Sequence, residues 1–109
     1  MSKPTRNLGE FEILVLSAIV RLDDNAYGVT IRREIESTTG RSVAVGALYA
    51  TLARLAEKGL VSSRTGGATD ARGGRSKRFY RLTAAGQSRL RNAVRSFERM
   101  FNGLPLEPR

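Results

Sequence analysis

A mainly α-helical chain carrying one small β-hairpin is the fold class this sequence predicts: three helices, two strands, then one long helix. Three observations predict it. Apolar residues recur at three- and four-residue spacing in separate stretches along the chain. Two short alternating runs flank a segment rich in glycine and basic residues, as the strands of a hairpin would. Residues that cap helices or make turns (Asp23-Asp24-Asn25, Gly40, Gly59 and Thr83) fall where the periodic stretches end or begin. At 109 residues, one compact unit is expected.

The first helix is expected over about 8–22, with Asn7 as its N-cap. Leu8, Phe11, Val15, Ala18, Ile19 and Leu22 follow one face, and Ile13, Leu14, Leu16 and Val20 add apolar residues on others. A helix that is apolar nearly all round belongs at the centre of a core. The second helix covers about 27–38, with Val29, Ile31 and Ile35 as its apolar contacts and Gly40 at the position of a C-terminal cap. The third fits about 45–58 and stops at Gly59. Its stripe of Val45, Leu48, Leu52 and Leu55 faces inward, while Gly46, Ala50, Ala53, Arg54 and Glu57 turn outward; Tyr49 lies on one flank, Ala47 and Thr51 on the other. The outward face near its N-terminus is bare of long side chains, which suits close approach to another surface.

Leu60 to Thr65 reads as a strand and Lys77 to Thr83 as its partner, with Lys77, Phe79 and Arg81 on one face and Arg78, Tyr80 and Leu82 on the other. Thr83 is the expected N-cap of a last helix over about 84–102. Leu90, Val94, Phe97, Phe101 and Leu104 keep helical spacing along it, and Arg91, Arg95 and Arg99 form a row on a different face. Helices two and three make a helix-turn-helix, and the hairpin makes it a winged helix-turn-helix, α-α-α-β-β, with a long C-terminal helix. The expected division is a winged domain over 1–83, with the wing at about 66–76, and a dimerisation helix with a short tail over 84–109.

Charge points to the partner. The net charge is +9, placed unevenly: residues 1–63 carry 8 basic and 7 acidic side chains, residues 64–109 carry 11 and 3. A basic surface confined to one part of a small chain favours a polyanion. The chain has no cysteine and no histidine, which excludes disulfides, thiolate nucleophiles and Cys/His zinc sites. No paired-carboxylate site is present either, so no enzyme, catalytic residue, metal or cofactor is expected. The longest apolar run, 13–20, is interrupted by Ser17 and too short to span a bilayer; the N-terminus has no signal-peptide layout. A cytoplasmic protein without membrane association is expected.

The segment GGATDARGGRSKRFY, from Gly66 to Tyr80, admits three readings: phosphate cradle, linker, or wing. A phosphate-cradling loop would need glycine where Thr69 stands, lysine where Arg75 stands, and a helix after it. A linker would not have matched strands on both sides. As a wing, it brings Arg72, Arg75, Lys77 and Arg78 to the phosphate backbone, and an Arg at the tip suits a narrow minor groove.

The blocks LGEFEILVLSAI, YGVTIRREIE, GALYATLARLAEKGLV and GGRSKRFYRLTAAGQSRL, in this order and spacing, together resemble the PadR family of bacterial winged-helix transcription regulators over about residues 8–95. The resemblance implies a DNA-binding, repressor-type homodimer whose last helix is the dimerisation helix, and the short tail resembles the branch without a larger C-terminal domain. Some members bind aromatic molecules at the dimer interface through an aromatic side chain, often Trp; this chain has no Trp, and no ligand residue is carried over. A small-molecule effector stays unassigned.

The candidate DNA-contacting residues are accordingly Tyr27, Ser42, Ala47, Tyr49, Ala50, Thr51 and Arg54 in the helix-turn-helix, and Arg72, Arg75, Lys77 and Arg78 in the wing. Tyr27 and Tyr49 also have a packing reading. The candidate dimer interface is Leu90, Val94, Phe97, Phe101 and Leu104. The partner expected is double-stranded promoter or operator DNA. Two other readings stay open: a non-specific architectural DNA-binding protein, and a winged-helix protein-interaction module.

Overall fold

The computed structural model describes residues 8–66 and 77–106. The order is α1 (Glu10–Leu22), a 3-10 turn (Asp23–Asn25), α2 (Gly28–Thr39), α3 (Val45–Glu57), β1 (Val61–Gly66), β2 (Lys77–Leu82) and α4 (Ala84–Phe101). This is the mainly α fold with a two-stranded antiparallel hairpin that the sequence predicts.

Helix α1 occupies the centre. It packs against α2, α3, β2 and α4 and buries Ile13, Val15, Leu16, Ala18 and Ile19. Ile31 and Ile35 of α2, Leu48, Leu52 and Leu55 of α3, and Leu60, Val61 and Leu82 around the hairpin complete the core. Each such side chain contributes about 1.5–3 kcal/mol when fully buried, so the core rests on contacts between elements rather than on any helix alone.

The start of α1 differs from expectation. Asn7 lies outside the described residues, and the N-cap is Gly9, whose N–H donates to Glu12 Oε1 at 2.8 Å. Glycine caps tolerably here because Glu12 reaches back to satisfy a free donor. Other ends follow the local chemistry. Gly40 ends α2 with φ 75°, its N–H donating to the Glu36 carbonyl. Gly59, also at φ 75°, ends α3, and the Leu60 N–H returns to the Leu55 carbonyl at 2.9 Å, closing the turn in the left-handed conformation that glycine adopts without penalty. Thr83 caps α4, its Oγ1 accepting from the Gly86 N–H at 3.0 Å.

The hairpin register pairs Val61 with Leu82, Ser63 with Tyr80 and Arg64 with Phe79. Just before α2, Tyr27 forms an antiparallel bridge to Phe79, and the Tyr80 N–H donates to the Ala26 carbonyl at 2.9 Å. The chain entering α2 thus acts as a one-residue third strand and locks the hairpin to the helix-turn-helix.

Candidate nucleic-acid interface

Helix α3 presents one buried and one open side. Ala47 and Ala50 are exposed, and Ser42 is exposed in the connection before the helix. Tyr49 is 48% exposed. Its hydroxyl lies against Gly28, where any β-carbon would overlap it, so the glycine at the first position of α2 is what lets Tyr49 lie down on that helix.

Two expectations for α3 change. Val45, placed in the inward stripe, is half exposed, because it is the first residue of the helix and precedes the core. Thr51, placed among the base-reading side chains, is 1% exposed. The helix touches α1, α2 and β1, so its buried arc is wider than a single stripe and takes in that flank. Arg54 is exposed as expected, while its Nη2 donates to Thr51 Oγ1 at 3.1 Å and its Nε lies 3.9 Å from Glu12 Oε2.

Glu12 is the hub of that arrangement. Its side chain is nearly buried in α1 and accepts from Lys58 Nζ at 2.7 Å as well as from Gly9. Burial pushes its carboxyl pKa up, but the bonds from Lys58 and the Gly9 N–H, with the charges of Lys58 and Arg54, outweigh it and hold the group below the usual glutamate value.

Arg72 and Arg75 of the wing lie outside the described residues; the root of the wing is described. Arg78 Nη1 donates to Ser63 Oγ at 3.1 Å. Lys77 places its ammonium 4.6 Å from the centre of the Tyr27 ring. Tyr27, half-buried, meets Phe79 edge to face with ring centres 5.4 Å apart. Across the hairpin, the Arg64 guanidinium sits 5.0 Å over Phe79. Arg64 was not among the candidates from sequence. Counting the hairpin register back from Leu82 would have put it opposite Phe79. Tyr80, half-buried, packs against the core; burial raises its hydroxyl pKa, the Arg78 charge lowers it less, and Tyr49 adds to the rise.

Arg21, Arg32 and Arg54 on the helices, Lys58 at the end of α3 and Arg41 in the connection before it each lie within 4.0 Å of a carboxylate. Arg81 at the foot of β2 reaches Asp24. Among the described residues, Arg64, Lys77 and Arg78 are paired with no carboxylate and are exposed. The root of the wing keeps its positive charge available.

Helix α4 leaves the body as it proceeds. Gly86 is buried on the Leu60 backbone and Leu90 packs on the core. Beyond them Val94, Phe97, Phe101 and Leu104 are 38–58% exposed, with Met100 at 75%. Phe97 and Phe101 stack with centres 5.6 Å apart. Among the described residues no helix is long and apolar enough to cross a membrane.

Comparison with known proteins agrees with this architecture. The family model for the transcriptional regulator PadR-like family matches residues 15–92. The chain is similar to RosR of H. salinarum, at 27% identity over 93% of this chain and 84% of that one, with a TM-score of 0.69. It is similar to a PadR family transcriptional regulator from Eggerthella lenta, at 25% identity over 85% and 76%, TM-score 0.68. A PadR-like transcriptional regulator from Bacillus cereus shares the fold, at 20% identity over 83% and 82%, TM-score 0.69.

Proposed function

The chain belongs to the PadR-like family of transcriptional regulators, and from that premise we propose that it is a homodimeric, sequence-specific DNA-binding repressor of the cytoplasm that acts by occupying promoter DNA. Helix α3 enters the major groove by its open N-terminal side, and the wing lies on the adjacent backbone. The observation that carries this reading is the root of the wing, where Arg64, Lys77 and Arg78 stand exposed without carboxylates while Arg21, Arg32, Arg41, Arg54 and Lys58 around the helix-turn-helix are paired. Charges spent on internal pairing add little to a polyanion's binding; free ones release counterions.

Within α3, close approach comes from Ala47 and Ala50, whose methyls can meet thymine methyls. Tyr49 and Ser42 supply hydroxyls. With Thr51 buried and Arg54 tied to Glu12, direct base reading is sparse, so much of the specificity comes from phosphate placement and DNA shape. The exposed stripe of α4 supports a twofold dimer, since a run of large apolar side chains left in water is a surface for association.

The sparse reading face also favours a second account, a non-specific architectural DNA-binding protein. Binding at fixed salt to the DNA upstream of its own gene and to a scrambled duplex separates them. The regulator reading predicts a preference of about 10³-fold or more for the specific site. Equal affinities contradict it and favour the architectural one.

A further inference from the structure

The wing root contains an arrangement that charge alone does not explain. Two cations from opposite strands, Arg64 of β1 and Lys77 of β2, are each seated on an aromatic ring, and the two rings touch. One ring belongs to the wing and the other, Tyr27, to the start of the helix-turn-helix. The same Tyr27 is bridged through its backbone to Phe79. The next residue, Gly28, carries the Tyr49 hydroxyl of α3. A continuous line of contact therefore runs from α3 through Gly28 and Tyr27 to Phe79 and the two cations.

Long cationic side chains ordinarily lose rotamer freedom when they grip a phosphate, and that loss offsets the attraction. A cation resting on a ring has part of its freedom removed beforehand, while its donors remain free toward solvent. Both partners here are half-buried aromatics whose backbones pair with each other.

We propose that Tyr27 and Phe79 are positioning residues that hold Lys77 and Arg64 as a preset pair of phosphate contacts at the root of the wing, in fixed relation to α3. The proposal rests on the DNA-binding reading above and assigns to it two residues, Arg64 and Phe79, outside the candidate DNA-contacting set. It makes the root a part of the wing whose geometry is set before DNA arrives.

The test uses the full chain and a duplex of the DNA upstream of its own gene, with affinity measured across a salt series. Arg64→Gln and Lys77→Gln should each flatten the dependence of log affinity on log salt by about 0.9. Phe79→Leu leaves every charge in place, so it should keep the wild-type slope and bind about fivefold more weakly, the share that an exposed cation–ring contact supplies. Phe79→Tyr keeps a ring and should restore affinity. In the free protein, the Lys77 side-chain methylene protons beside the amine should be shifted upfield by the Tyr27 ring current, and Tyr27→Leu should remove that shift. Wild-type affinity in Phe79→Leu, an unchanged slope in both charge variants, or no ring-current shift at Lys77 would each overturn the proposal while leaving DNA binding intact. A wild-type chain that does not bind the duplex at any salt concentration in the series overturns the DNA-binding reading itself.

Discussion

Gly28 and Gly86 each occupy a position where a side chain would collide, and what it would collide with decides the outcome. At Gly28 the obstacle is the Tyr49 hydroxyl, the far end of a half-exposed side chain that can swing aside. At Gly86 the obstacle is the Leu60 carbonyl, which is backbone, and that carbonyl also accepts the Thr83 N–H at 3.0 Å. Gly86→Ala should therefore lower stability by about 1–3 kcal/mol, as overpacking does, whereas Gly28→Ala should cost little and chiefly displace Tyr49. Denaturant midpoints of the two variants check this; equal losses would contradict the reading of the α4–Leu60 contact. Some residue-level features could not be read from spacing. Thr51 looks like a surface flank on a helical wheel, but its burial depends on three elements packing round α3. Arg64 looks like one more strand cation until the hairpin register sets it over Phe79.

At the scale of elements, the helix-turn-helix is held by a charge contact as well as by its apolar core. Glu12 joins the start of α1 to the end of α3 through Lys58 and Arg54. Its folded pKa is depressed, so this tie is fully present above the unfolded value, near pH 4.5, and is lost as pH falls through the lower folded one. The wild-type melting temperature should drop more steeply than that of Glu12→Gln between about pH 5 and pH 3; parallel curves would show the tie contributes nothing. Glu34 is depressed too, first by its bond from Arg21, but that pair is exposed and salt screens it. Most elements were legible in the sequence because local chemistry decides them: Gly40, Gly59 and Thr83 end or begin helices by conformations and bonds that need no tertiary partner. The one-residue strand at Tyr27 was not, since a single bridge has no periodicity. The cap of α1 was not legible because no side chain caps it there: Gly9 is the N-cap, and Glu12, three residues on, accepts that residue's own N–H.

At the scale of the molecule, three surfaces have distinct characters: an open, small-residue side of α3, a wing root with uncommitted positive charge, and an apolar stripe on α4. The first and third follow from helical periodicity, and the second from composition, since residues 64–109 carry most of the excess charge. Family membership fixes the class as a transcriptional regulator. Specific DNA recognition by a twofold dimer is the central claim, and it joins all three surfaces. A footprint on the DNA upstream of its own gene tests that claim most directly. The account predicts two protected half-sites with centres about 34–36 Å apart, or a multiple of that spacing, and their joint loss when Phe97→Asp and Phe101→Asp break the α4 stripe. A single protected site, uniform protection along the duplex, or paired protection that survives those substitutions would contradict it.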